Sequence, residues 1–150
     1  MAVSESSHRR LPHIKAQALS TIYVLGDSIS AGISGHEVTW PMRLAEQTRF
    51  QVVNLARAGA TVNDGLPQAA NIPSASAIVF IELGGNDMLG NTTADQFEKS
   101  LRSLLEYLAR CGHHVVMFEL PLYPTAASYG AAQRRLASEF SAQLIPKRVL

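Results

Sequence analysis

The sequence is poor in the features that mark several classes of protein. It holds one cysteine, Cys111, in 150 residues, so no internal disulfide can form and no thiol cluster offers a zinc site. That fits a reducing compartment, and a cytoplasmic location is the expectation. The charges nearly cancel, with 13 Lys and Arg against 12 Asp and Glu. Without a basic excess there is no electrostatic footprint for nucleic acid. No stretch approaches the roughly 18 apolar residues of a membrane span. Arg9, Arg10 and Lys15 lie near the start, but no apolar run of the kind a secretory signal needs follows them. Residues 1–20 are therefore expected to form a flexible leader. Phosphate-loop and dinucleotide fingerprints are absent, and Gly32-Ile33-Ser34-Gly35 is not the G-x-S-x-G elbow of α/β-hydrolases. No cofactor or metal ion is implied.

What is present reads as one domain over residues 21–150. Hydrophobic residues make up 47% and charged residues 17%, enough apolar side chain for a single sizeable core. Short β-rich runs alternate with helical ones. Thr21–Leu25 reads as a buried strand, and Phe50–Ala56, Ala77–Leu83 and Val115–Leu120 as three more strands. Thr39 before Trp40-Pro41 reads as the N-cap of a helix reaching about Arg49, and a short helix is expected over Asp64–Ala70. The clearest helix runs from Thr93 to Arg110. Thr93 and Gln96 have capping-box spacing, Phe97, Leu101, Leu104, Leu105 and Leu108 recur at helical period, and Gly112 ends it. A last helix is expected over Ala131–Phe140, and Gln143–Leu150 reads as a fifth strand or a tail. Strands alternating with helices imply parallel strands and right-handed crossovers. The fold class is a flavodoxin-like three-layer α/β/α sandwich around a central parallel sheet.

In such sheets ligands bind outside the carboxyl ends of the strands, which selects three segments. The first strand delivers Gly26-Asp27-Ser28, the second leads to Ala58-Gly59-Ala60, and the third delivers Gly84-Gly85-Asn86-Asp87. Ser28 offers a hydroxyl, Gly59 an unobstructed N–H and Asn86 a side-chain amide. A nucleophile beside converging uncharged donors suits attack on a carbonyl and stabilisation of the resulting oxyanion. Read alone, Ser28 is a turn serine, Gly59 a turn glycine, and Asn86-Asp87 an Asx-turn. Their co-occurrence at three strand ends favours the chemical reading. Asp27 is expected to brace its loop as a hydrogen-bond acceptor, and Glu82 to make a buried hydrogen bond at its strand end. Arg57 is either solvated or in contact with an acidic substrate group.

These segments resemble the conserved blocks of the GDSL/SGNH hydrolases. Leu25-Gly26-Asp27-Ser28-Ile29-Ser30-Ala31-Gly32 is similar to the first block, Asn54-Leu55-Ala56-Arg57-Ala58-Gly59 to the second, and Glu82-Leu83-Gly84-Gly85-Asn86-Asp87 to the third. The nearest likeness is to the small bacterial arylesterase, lysophospholipase and thioesterase branch, and it runs from about Thr21 to the C-terminus. The resemblance implies a serine ester hydrolase with Ser28 as nucleophile. Ser28 N–H, Gly59 N–H and Asn86 form its oxyanion hole, and Asp27 and Asp87 support it. The substrate it implies is a small ester, a lysophospholipid or an acyl thioester.

The family's fourth block, D-x-x-H, has no counterpart. None of His8, His13, His36, His113 and His114 has an aspartate three residues before it. His113 and His114 are expected at the amino edge of the sheet, opposite the site, and His36 on an exposed loop. Leu144-Ile145-Pro146-Lys147 is similar to the stretch that precedes that block in relatives, so the fold is expected to be C-terminally incomplete by one loop and one helix. Two readings follow: a serine ester hydrolase whose base lies in the absent segment, or an inactive SGNH-like binding domain. The expected partners are a small ester or lipid-like substrate and, because a missing helix uncovers apolar surface, a second copy of the chain.

Overall fold

A computed structural model describes residues 20–121 and 123–146. The chain alternates five strands with six α-helices: β1 (Thr21–Gly26), α1 (Ser28–Ala31), α2 (Trp40–Gln47), β2 (Gln51–Asn54), α3 (Gly65–Ala69), β3 (Ile78–Glu82), α4 (Gly85–Leu89), α5 (Ala94–Arg110), β4 (His114–Phe118), α6 (Ala127–Glu139) and β5 (Gln143–Ile145). Short 3₁₀ turns, Val62–Asp64 and Pro124–Ala126, precede α3 and α6. The leader expected over 1–20 lies outside the described residues except for Ser20, whose carbonyl accepts the Gln51 N–H at 2.9 Å. Residues 147–150, the rest of the expected strand or tail, also lie outside them.

All strand pairs are parallel, in the order β2-β1-β3-β4-β5. That is the flavodoxin-like order, whose switch point lies between the first and third strands. Side chains alternate across the sheet. Leu25, Val79, Ile81 and Met117 join the larger core with Leu101, Leu104, Leu105, Leu108 and Leu136 from α5 and α6. Ile22, Val24, Ile78 and Val116 face the other way, against Trp40 and Leu44 of α2. Among the described residues α2 is the main helix on that second face, so the second outer layer is thin.

The sequence signals for α5 hold in detail. Thr93 accepts the Gln96 N–H at 3.2 Å and Gln96 returns an acceptor to the Thr93 N–H at 2.9 Å. Phe97, Leu101, Leu104, Leu105 and Leu108 are all buried, and Gly112 has φ +70°. Replacing Thr93 by alanine removes one arm of this box. The expected loss is about 1 kcal/mol by urea denaturation, while Thr93→Ser retains most of the stability.

Other boundaries shift for identifiable reasons. The last helix begins at Ala127, four residues before the expected Ala131, because Pro124 opens a 3₁₀ turn that runs directly into it. Proline fits a first helical turn, where its missing N–H is not needed. Thr39 occupies the N-cap position in extended backbone, yet its hydroxyl makes no capping bond. The short helices α1 and α4, one immediately after each of the strand ends that matter, escape the sequence reading because four or five residues carry no periodicity.

Candidate active site

Three loops leave the carboxyl edge at the switch point. The segment after β2 keeps pairing with β1, since Leu55 N–H donates to the Val24 carbonyl and Arg57 N–H to that of Gly26, at 2.9 and 3.0 Å. This carries Ala58-Gly59-Ala60 alongside the end of β1. Asn86, after β3, ties the loops together. Its side-chain nitrogen donates to the Ala60 carbonyl at 2.9 Å and to the Asp27 carboxylate at 3.2 Å.

Ser28 is the first residue of α1 and is half-buried. Asp27, buried, caps that turn by accepting the Ile29 N–H at 2.9 Å. The expected bracing role of Asp27 therefore has two arms, one to its own turn and one to Asn86. Gly59 is exposed with φ +77°, and a Cβ built there meets nothing within 4 Å. Backbone conformation, not crowding, explains glycine there. No hydrogen bond takes the Gly59 N–H among the described residues. Asp87 is fully buried and accepts the Val62 N–H at 2.9 Å, so it braces the turn that follows Gly59. Burial raises its pKa.

Asn86 differs from expectation in one respect: both of its N–H bonds are engaged, by Asp27 and Ala60. A developing oxyanion can therefore recruit it only by sharing or exchanging one of them.

His36, His113 and His114 lie where the sequence puts them, and His8 and His13 fall outside the described residues. His113 accepts the Ala77 N–H through Nδ1 at 3.2 Å, at the amino edge of the sheet, and burial lowers its pKa. His36 is exposed, and only its backbone N–H makes a hydrogen bond, to the Ser34 hydroxyl. Among the described residues no side chain hydrogen-bonds the Ser28 hydroxyl, and no cluster of three or more His, Cys, Asp or Glu could hold a metal ion. A polar cleft of about 520 Å³ opens nearby, lined in part by Thr61, Asn63, Thr92 and Lys99 but by none of Ser28, Gly59 and Asn86.

Several residues that shape the edge carried no signal in the sequence. Gln68, fully buried on α3, accepts the Gly26 N–H at 2.9 Å and donates to the Gly26 carbonyl at 3.0 Å. Gln133 on α6 does the same at the end of β4, accepting from Leu120 N–H and donating to the Phe118 carbonyl. Ser30 donates to Glu82 at 2.8 Å and accepts the Trp40 indole N–H at 2.9 Å, and Asn54 donates to the Ser30 carbonyl at 2.7 Å.

A parallel sheet of this order, with Ser28, Gly59 and Asn86 on the loops at its carboxyl edge, has the architecture of an α/β hydrolytic enzyme, and similarity to known proteins gives the family. The chain belongs to the GDSL-like lipase/acylhydrolase family, whose model matches residues 24–146. It is 32% identical over 148 aligned residues to the thioesterase 1/protease 1/lysophospholipase L1 of Escherichia coli, an alignment covering 88% of this chain and 68% of that protein. It is 33% identical to the esterase TesA of Pseudomonas aeruginosa over 115 residues, 71% of this chain and 57% of that one. Among solved structures, the psychrotrophic esterase EstA from Pseudoalteromonas superposes with a TM-score of 0.72 at 23% identity, over 87% of this chain and 79% of that chain.

Proposed function

We propose that the protein hydrolyses acyl esters or thioesters through an acyl-serine intermediate on Ser28, with small esters, lysophospholipids or acyl thioesters as substrates. The Ser28 oxygen attacks the carbonyl carbon, and Ser28 N–H, Gly59 N–H and the Asn86 amide receive the oxyanion. Collapse expels the alcohol or thiol with a proton, and water then repeats the attack to release the acid. The observation that supports this most is the single point at which Asn86 joins the Asp27 turn and the Ala60 carbonyl, one residue from Ser28 and one from Gly59. Relatives named as esterases and thioesterases add to it, and they do not favour the reading as an inactive binding domain. Among the described residues, no helix is long and apolar enough to cross a membrane.

A serine hydroxyl is a weak nucleophile at neutral pH until a base takes its proton. The family pattern gives that task to a D-x-x-H histidine, which this sequence does not contain. The test compares initial rates on a chromogenic short-chain ester for these 150 residues and for a chain continued through a D-x-x-H segment. The expected result is slow hydrolysis by the first and a gain of several orders of magnitude in the second. Full turnover by the first would reveal a base among the residues given. No gain in the second would favour the inactive domain.

A further inference from the structure

The proposed chemistry leaves one buried acid without a task. Glu82 ends β3 on the sheet face that carries Phe80, directly opposite Gly26 of β1 in the register. One of its oxygens accepts the Ser30 hydroxyl at 2.8 Å, and the same hydroxyl accepts the Trp40 indole N–H at 2.9 Å. The Asp27 carboxylate lies close enough to add its charge to that of Glu82. Gly26 makes the room: a Cβ there would sit 2.6 Å from the Ser30 hydroxyl and 3.2 Å from the Glu82 carboxylate. Glu82 thus holds the residue two after Ser28 and pairs in the sheet with Gly26, two before it.

We propose that Glu82 is a positioning residue of the nucleophile turn: by accepting the Ser30 hydroxyl it clamps α1, the turn that Ser28 opens and Asp27 caps, to the end of β3. Asp27 in turn holds Asn86, so the clamp reaches the oxyanion side of the site. The inference rests on the reading of Ser28 as nucleophile for its catalytic consequence, but not for the clamp itself.

The charge state follows from the surroundings. Burial dominates, with repulsion from Asp27 adding to it, and together they push the Glu82 pKa up to about 7 against a Ser30 hydrogen bond that lowers it. Asp27, from the turn after β1, is the charged group facing it. On the other flank β4 presents Phe118, and α2 presents Trp40, whose rings pack 5.0 Å apart. Ionisation sets a second negative charge beside that of Asp27. The folded pKa lies above the ordinary 4.5, so this contribution to stability is complete below pH 4.5 and is lost as pH rises through about 7.

Trp40 is the sole tryptophan and lies one hydroxyl from Glu82, so its fluorescence reports the clamp without any catalysis. The expected result is a change in emission with a midpoint near pH 7. It should be absent in Glu82→Gln, reduced in Ser30→Ala and kept in His36→Ala, which controls for the imidazole four residues from Trp40. A transition that survives Glu82→Gln, or none in the parent chain between pH 5.5 and 8.5, would overturn the proposal. In a chain continued through D-x-x-H, kcat should fall as pH rises above 7, and Glu82→Gln should remove that fall with KM unchanged. A histidine base gives a limb of opposite slope. Complete inactivity in that chain would count against Ser28 chemistry and leave the fluorescence result standing, whereas an unaltered falling limb in Glu82→Gln would count against the clamp.

Discussion

Ester hydrolysis by a chain carrying a D-x-x-H segment is expected to fall by about 10⁴–10⁶ in kcat when Ser28 becomes alanine, the scale seen when other serine hydrolases lose their nucleophile. Alanine removes the attacking oxygen and leaves the rest of the turn in place. The Ile29 N–H still meets Asp27, and Asn86 still spans Asp27 and Ala60, so KM should change little. Asn86→Ala should cost less, about 10²–10³, the usual effect of deleting one oxyanion donor, and it should also lower stability because two loop ties go with it. The measurement is kcat and KM on a chromogenic ester, with thermal melting to confirm that each variant is folded. Unchanged activity in Ser28→Ala would show that the nucleophile lies elsewhere.

The largest effect on stability is expected at Gly84. This residue joins β3 to α4 in left-handed backbone, φ +119°. A Cβ there would lie 2.8 Å from one Leu120 methyl and 3.0 Å from the Phe97 ring. Two costs add. A side chain in left-handed backbone costs roughly 1–2 kcal/mol, and forcing a methyl into a filled core typically costs about 1–3 kcal/mol. Gly84→Ala should therefore lose about 2–5 kcal/mol in urea denaturation. Gly59→Ala separates the two terms. Its φ is also positive but its surroundings are open, so only the backbone cost of roughly 1–2 kcal/mol applies. Equal losses at the two sites would show that the packing argument at Gly84 is wrong.

The fold was legible because its long elements carry independent, agreeing signals. In α5 a capping box, an apolar stripe and a terminal glycine all specify the same helix, and four of the five strands announce themselves as short β-rich runs. Of the candidate site, the chain order of Ser28, Gly59 and Asn86 could be read, because strand ends in a parallel sheet open on one edge. What could not be read is which donors the fold already uses. Asn86 is satisfied by Asp27, 59 residues earlier, and by Ala60, 26 residues earlier, and neither partner follows from local pattern. That Glu82 makes a hydrogen bond at its strand end could be read, but its partner Ser30, 52 residues away, could not. Short helices such as α1 are shaped by these contacts and not by propensity, so sequence periodicity passes over them.

The two buried glutamines have a consequence for water at this edge. A primary amide carries a donor and an acceptor in one plane, as a peptide group does, so Gln68 imitates the backbone of a neighbouring strand beside Gly26. Gln133 repeats the imitation where β4 ends. The ends of β1 and β4 are thereby each given an extra rung made from a side chain. The main chain under Ser28 needs no solvent to satisfy it. A glutamate in either place would lack the donor and a methionine would lack both, so the rung is specific to glutamine. Backbone satisfaction at these two strand ends is thus supplied by α3 and α6, helices that contribute no group to the proposed chemistry.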